Sequence, residues 1–311
     1  MPKEKYVACV TGATGIIGNR IVRLLLESEN VVRVATRKRR YMHSNADVYT
    51  GDIVDESFLD KFIAGADFVF HCAAELYDES KMWDVNVEGS RNILKMAKKH
   101  KIRFFCHMSS AGVVGRTNIK CVDEMATCRP QNNYEKSKWE AEKLAAKGVE
   151  GCQMVILRPT NVIDEERPGA IGLLVNQSWM TRLKIVIKGG ECAHIVHAED
   201  VARAAVFFIK HPIIKPQCFF VSYDDESLNT FSGIWSLYRH MLNEQSIERV
   251  KPVAHMPIVI PYLVRRLRAR HSNLGDVRYS SKKLLSTGFR FQVGIDETVR
   301  RLATAGENNQ L

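Results

Sequence analysis

Two side chains define the chemistry worth testing for. Tyr134 and Lys138 stand four residues apart, which on a helix places them one turn from each other on one face. A phenol ionises near pH ~10 and is a poor base at neutrality. An ammonium one turn away favours the phenolate, so the pair can exchange a proton with a substrate hydroxyl or carbonyl. Ser110 offers a hydroxyl that can hold the same substrate oxygen. The spacing alone is common on exposed helices, and a lone serine commonly ends a turn or caps a helix. The surrounding elements therefore have to decide.

Pro130 marks a loop, Asn132 and Asn133 are good helix caps, and Ala, Leu, Glu and Lys predict a helix from Tyr134 to Lys147. Upstream, the apolar run 6–11 suits a buried parallel strand. It leads into Thr11-Gly-Ala-Thr-Gly-Ile-Ile-Gly18 and then a helical pattern with Ile17, Ile21, Leu24 and Leu25 on one side. Gly12, Gly15 and Gly18 thus occupy a strand-to-helix turn. Missing side chains there let a pyrophosphate approach the backbone, and the helix N-terminus favours an anion. Further strands are expected at 31–36, 47–50, 66–71, 103–108, 151–157 and 217–221. Helices are expected at 56–64, capped by Asp55, at 80–100 and at 200–210. The alternation predicts an α/β fold with a doubly wound parallel sheet of Rossmann type. Ligands bind at the carboxyl ends of such strands, where Asp52, Ala73, Ser110 and Pro159 come out.

In such a fold an acid near the end of the second strand binds the ribose of NAD. Here Thr36 is followed by Arg37, Lys38, Arg39 and Arg40. A guanidinium pairs well with a ribose 2′-phosphate, so NADP is expected in preference to NAD, which stays possible.

The chain has 311 residues, 45% of them hydrophobic and 26% charged, enough for a large core and ordinary for a folded protein. No apolar run approaches the roughly 20 residues needed to span a bilayer, and a strand-like run begins too early to leave room for a signal peptide. Cys9, Cys72, Cys106, Cys121, Cys128, Cys152, Cys192 and Cys218 form no Cys-x-x-Cys pair. They read as free thiols in a reducing compartment, the cytoplasm, with no metal site. The net charge of +10 falls in three groups, 37–40, 95–103 and 265–270. The first suits a phosphate and the second is the solvated end of a helix. A non-catalytic nucleotide- or RNA-binding regulator is the alternative from another class, with charge as its support; nucleic acid is not the expected partner.

The order of motifs resembles the extended short-chain dehydrogenase/reductase family, also called the NAD-dependent epimerase/dehydratase family. The resemblance rests on the glycine turn, Gly51-Asp-Ile53, His71-Cys-Ala-Ala74, Val85-Asn-Val-Glu-Gly89, Met108-Ser-Ser-Ala-Gly-Val-Val-Gly115, Tyr134-Glu-Lys-Ser-Lys138, Arg158-Pro-Thr-Asn-Val162 and His197-Ala-Glu-Asp200. It implies Ser110, Tyr134 and Lys138 as catalytic residues. It implies Gly12, Thr14, Gly15, Ile16, Ile17 and Gly18 around the pyrophosphate, Arg37 on the ribose phosphate, Asp52 and Ile53 at the adenine, and Ala73 and Ala74 at the ribose. Tyr134 and Lys138 would also meet the cofactor, with Pro159 and Val162 flanking the nicotinamide. Asn86 would be both structural and substrate-side, and Ser110 and Asn161 would serve the substrate. The resemblance further implies a small-molecule substrate and a homodimer.

Departures from the family pattern bear on that substrate. Where nucleotide-sugar enzymes carry an arginine for the diphosphate, this chain has Cys192-Ala193-His194, and a second such place holds Asn273. The usual Val-Tyr-Gly after the serine is Val113-Val114-Gly115. A buried diphosphate without cations is strongly unfavourable. The expectation is hydride transfer at a secondary alcohol or ketone, with a nucleotide-sugar 4-epimerase or dehydratase holding its NAD(P) tightly as the alternative. The dinucleotide-binding domain is expected over 1–165 and 199–225, and a mainly helical substrate lobe over 166–198 and 226–311. Within that lobe 168–183 reads as helical, and the apolar-then-basic stretch 257–270 reads as a helix with its arginines in water rather than on an acidic membrane.

Overall fold

A computed structural model describes residues 5–37, 43–171, 179–242, 254–267 and 273–308. In chain order the strands are β1 (Val7–Thr11), β2 (Val31–Thr36), β3 (Asp47–Thr50), β4 (Phe68–His71), β5 (Phe104–Met108), β6 (Cys121–Val122), β7 (Gln153–Pro159), β8 (Asn161–Ile163), β9 (Ile195–His197), β10 (Gln217–Val221) and β11 (Arg278–Tyr279). The helices are α1 (Ile16–Glu27), α2 (Glu56–Ile63), α3 (Glu79–Trp83), α4 (Gly89–Lys99), α5 (Asn133–Ala146), α6 (Trp179–Lys188), α7 (Ala198–Phe207), α8 (Phe231–Leu242), α9 (Val259–Leu267), α10 (Lys282–Ser286) and α11 (Gly294–Asn308).

The chain divides into two units, one of Met1–Gly115, Pro130–Pro159 and Val201–Phe219, the other of Arg116–Arg129, Thr160–Asp200 and Phe220–Leu311. A seven-stranded sheet runs β10-β7-β5-β4-β1-β2-β3. The registers from β3 across to β7 are all parallel. The order reverses between β1 and β4, where Thr11 pairs with His71, and that reversal is where such sheets open a crevice at their carboxyl ends. β4 and β5 are buried at every residue, because helices cover both faces and the runs Phe-Val-Phe-His and Phe-Phe-Cys-His-Met have no solvent side. On one face Leu59, Phe62 and Ile63 of α2 pack with Ile93 and Met96 of α4 and Phe105 of β5.

One expected element is two. Residues 80–100 form α3, a π turn over Asp84–Glu88, and α4. A π turn inserts one extra residue into an α-helix. The physical reason lies at Asn86, whose side chain is tied to Glu75 and Ser137, as described below. In the second unit, 168–183 resolves into a short 3-10 turn, Gly169–Ile171, and α6, with 172–178 outside the described residues.

The second unit holds the two-stranded sheets β8–β9 and β6–β11. Asp200, fully buried at the end of His197-Ala-Glu-Asp200, is its anchor. Its carboxylate accepts the backbone N–H groups of Gln292, Val293 and Gly294 and the Tyr223 hydroxyl. Val201, Ala204 and Ala205 of α7, and Phe208 just past its end, are fully buried. Among the described residues no helix is long and apolar enough to cross a membrane.

Candidate active site

The start of α5 is fixed by a reciprocal cap. Asn132 Oδ1 accepts the Glu135 N–H at 2.8 Å, while the Glu135 carboxylate accepts the Gln131 N–H at 2.6 Å and the Asn132 amide at 2.8 Å. This sets Tyr134 in the first turn. Lys138 and Glu142 follow at four-residue steps and lie on the buried side. Glu142 is locked there: Arg158 of β7 grips it from Nε at 3.0 Å and Nη2 at 2.5 Å, and Ser109 Oγ donates to it at 2.5 Å.

Ser110 leaves the carboxyl end of β5. Its Oγ accepts the Gly112 N–H at 3.1 Å, capping the 3-10 turn Ala111–Val114, and its side chain is close enough to the Tyr134 phenol to lower that group's pKa. The capping role and the contact with tyrosine coexist. Burial pushes the phenol up from its ordinary value, Ser110 pulls it down and Glu135 pushes it up again. The Lys138 ammonium donates to the Met108 carbonyl, and burial pulls it down to about 8 against the opposing pull of Cys72 and Glu142. The phenol is therefore raised, where sequence spacing alone predicts that the ammonium lowers it. Burial, which spacing does not reveal, is the largest cause.

At the glycine turn, Gly12 has φ +67°, and a Cβ there would sit 2.6 Å from the Ala73 nitrogen. A Cβ on Gly18 would collide with the Gly12 carbonyl. Both are glycine because the backbone demands it. Gly15 is different: its φ is −80°, and a Cβ would meet the Gly12 oxygen at 3.2 Å and nothing else within 4 Å. Internal packing constrains this glycine less than the other two, and a ligand laid against the turn would add a reason for it. Thr14 beside it is exposed, Ile16 and Ile17 are half-buried, and the first turn of α1 holds no acid. The residues fit a pyrophosphate.

A chain of hydrogen bonds joins this turn to α5. Ala73 N–H donates to Thr11 Oγ1 at 3.3 Å, Thr11 Oγ1 lies 2.8 Å from His71 Nδ1, and His71 Nε2 lies 3.0 Å from Ser90 Oγ. Ser90 Oγ donates to the Asn86 carbonyl at 2.6 Å, so it must accept from His71, and the network assigns His71 as the neutral Nε2–H tautomer. Burial, then Lys138, pull its pKa down to about 3, in agreement. Asn86 Oδ1 accepts the Glu75 N–H at 2.7 Å, and its Nδ2 donates to Glu75 O at 3.0 Å and Ser137 Oγ at 2.9 Å. Ser137 Oγ in turn donates to Tyr134 O at 2.9 Å. Asn86, expected on the substrate side, has its amide committed to holding protein together.

Of the remaining expected residues, Arg37 is exposed at the end of β2 and acts electrostatically on Glu75; Lys38, Arg39 and Arg40 lie outside the described residues. Asp52 is half-buried and accepts the Val54 N–H at 3.2 Å, while Ile53 is buried against Gly89. Ala73 and Ala74 are half-buried after β4, and Pro159 is buried at the end of β7. Asn161 and Val162 belong to the second unit, where Asn161 Nδ2 donates to Ala193 O at 3.0 Å. Sequence reasoning passed over Glu135, Glu142, Ser109 and Ser137; only Glu135, three residues after the Asn132 cap, carried a local signal.

In the second unit His194, with φ +54°, places Nδ1 2.6 Å from Asp224 Oδ2. Cys192 is close by, and the ligand-type atoms of the three residues lie within 4.8 Å of one another. These atoms are already hydrogen-bonded: Cys192 Sγ to Asn229 O, and Asp224 also to Asn229 Nδ2 and the Tyr279 N–H. Burial lowers the His194 pKa, but Asp224 and then Cys192 prevail and raise it to about 10.

Fold and site together define a doubly wound α/β enzyme. A sequence profile of the NAD dependent epimerase/dehydratase family matches residues 8–218, and the chain belongs to that family. It is 27% identical to an N-acetyl-alpha-D-glucosaminyl-diphospho-ditrans,octacis-undecaprenol 4-epimerase of Escherichia coli O157:H7, over 79% of this chain and 74% of the relative. It is also 27% identical to a bifunctional dihydroflavonol 4-reductase/flavanone 4-reductase of Pyrus communis, over 96% of this chain and 89% of that one. Among solved structures it is similar in fold to a short-chain dehydrogenase/reductase superfamily protein from Agrobacterium tumefaciens with bound NAD, at TM-score 0.78 and 19% identity over 98% of both chains. It is likewise similar to Bordetella bronchiseptica WbmH in complex with NAD+, at TM-score 0.73 and 20% identity over 98% of this chain and 99% of that one.

Proposed function

We propose that this protein is an NADP-dependent oxidoreductase acting at a secondary alcohol or ketone carbon. What supports the reading is that Ser110, at the carboxyl end of β5, is close enough to act on the buried Tyr134 phenol, with Lys138 one helical turn behind. Gly12, Gly15 and Gly18 would hold the pyrophosphate, Arg37 the ribose phosphate, and Asp52, Ile53, Ala73 and Ala74 the adenosine side. The bound nicotinamide would supply or accept the hydride. Ser110 holds the substrate oxygen by its hydroxyl. Tyr134, whose raised pKa keeps the phenol protonated at neutrality, gives that oxygen its proton during reduction and recovers it during oxidation. Lys138 steadies the charge left on the phenolate.

Tyr134→Phe is expected to lose roughly 10²- to 10⁴-fold in kcat for NADPH-dependent reduction of a ketone panel while binding the cofactor as before. Turnover near wild type would overturn the mechanism. Arg37→Ala is expected to weaken NADP binding roughly 10- to 100-fold, the worth of one charge-assisted pair, and to leave NAD binding unchanged. Unchanged NADP affinity would remove the phosphate role.

A second reading, a sugar 4-epimerase or dehydratase that keeps its cofactor, is favoured by the 4-epimerase among the relatives. Against a free nucleotide-sugar diphosphate stands the His194–Asp224 pair: the imidazolium is held protonated, but the buried carboxylate cancels its charge. Purified protein carrying bound dinucleotide and consuming no external NADPH would select this second reading.

A further inference from the structure

Two helices of the second unit turn apolar faces outward. On α6, Trp179 is 73% exposed, and Met180, Leu183 and Val186 are exposed with it. At ~100° per residue these four make one stripe, bordered by Arg182 on one side and Lys184 on the other. Both cations are exposed, while Thr181 and Ile185 on the opposite side are buried.

On α9 the pattern repeats. Val259, Ile260, Leu263, Val264 and Leu267 are exposed, Leu267 at 88%, and Pro261 behind them is buried. Arg266 borders this stripe and is exposed, whereas Arg265 turns inward to Glu191 at 2.6 Å. The segment entering α9 is fastened to the end of α6: the Met256 N–H donates to Val186 O at 2.7 Å, and the Ile258 side chain lies beside Gly190. Neither helix contains an aspartate or a glutamate. Sequence reasoning read 257–270 as a helix with its arginines in water. In the structure the apolar side of α9 faces out.

We propose that α6 and α9 form a face that adsorbs to an anionic bilayer, with the two apolar stripes at the acyl boundary and Arg182, Lys184, Lys188 and Arg266 among the headgroup phosphates. Amphipathic helices rich in Trp and Leu on one side and cations on the flanks bind interfaces in this way, without crossing them. Exposed apolar stripes rimmed by polar residues are a mark of interaction or membrane sites. A second copy of this chain fits less well, because a two-fold contact brings two cation-flanked faces together and no acid on either helix offsets them. A polynucleotide would match the cations and leave nine apolar side chains without a role.

The test is co-sedimentation of the whole protein with phosphatidylcholine vesicles and with vesicles in which about one third of the lipid is phosphatidylglycerol. The wild type is expected to pellet with the anionic vesicles at least tenfold more tightly than with the neutral ones. The pair Leu183→Glu and Leu263→Glu lies on exposed positions, and it is expected to abolish pelleting while the melting temperature stays unchanged. The triple variant Arg182→Gln, Lys184→Gln, Arg266→Gln should weaken binding to anionic vesicles roughly 100-fold. Wild-type protein that stays in the supernatant overturns the proposal, as does equal binding to both vesicles or by the glutamate variant. So does a dimer in solution that the glutamate variant dissociates while vesicles capture nothing. None of these readings depends on turnover, so the enzymatic proposal stands or falls separately.

Discussion

Lys138 is only 4% exposed, and the burial that holds it against the Met108 carbonyl also brings its titration into an accessible range, about 8. The unfolded chain would keep this ammonium to its ordinary value near 10.5. The folded state therefore binds that proton less tightly than the unfolded one. Below pH 8 the burial of the charge is a standing cost, and the cost is relieved as pH rises from about 8 toward 10.5. Activity should run the opposite way if the charge steadies the phenolate. The wild-type profile of kcat/KM is expected to fall through about pH 8, and Lys138→Met should be slower throughout and lack that limb. A limb that survives in Lys138→Met would assign the titration elsewhere. The Tyr134–Lys138 spacing was legible in the sequence; the burial that raises one pKa and lowers the other was not. Nor was the commitment of the Asn86 amide, because its partners Glu75 and Ser137 are remote from it along the chain.

At the scale of elements, α5 is a rod fastened at three places: the Asn132–Glu135 cap, the Asn86–Ser137 bond and the Glu142–Arg158 pair. The last pair is 3% exposed on each side, so removing one partner strands a buried charge. Glu142→Ala is expected to destabilise the fold by about 3–5 kcal/mol in denaturant titrations, with Arg158→Met in addition recovering much of it. A loss below about 1 kcal/mol would class the pair with Lys95–Glu56 and Lys99–Asp60, which are exposed and contribute little. The strands and the glycine turn could be read from the sequence because a fully buried parallel strand is a short unbroken apolar run, as in 68–71 and 104–108. The Asn132-x-x-Glu135 cap was equally local. The π turn at Asp84–Glu88 was not, since one inserted residue alters neither composition nor the run of polar and apolar positions enough to see. Glu142 and Arg158 looked like ordinary surface charges until the fold brought them together.

For the whole molecule, the net charge of +10 constrained less than the distribution of charge did. Lys95 and Lys99 pair with α2 carboxylates, whereas Arg182, Lys184 and Arg266 of α6 and α9 border apolar surface that a sequence pattern assigns to the core by default. The first unit is also assembled from three separated stretches, and β10, one edge of the seven-stranded sheet, arrives only after the intervening segment 160–200 has been made. During synthesis β7 must therefore wait with one edge open, and an unpaired strand edge invites pairing with other chains. Ribosome-bound nascent chains halted with residue 165 exposed are expected to remain protease-sensitive across β5 and β7. Chains halted after Val221 has emerged should be protected there. Full protection in the shorter chains would contradict this order. The completion of the large sheet is thus timed by its last strand, and a translating cell has to shelter the earlier strands until that one appears.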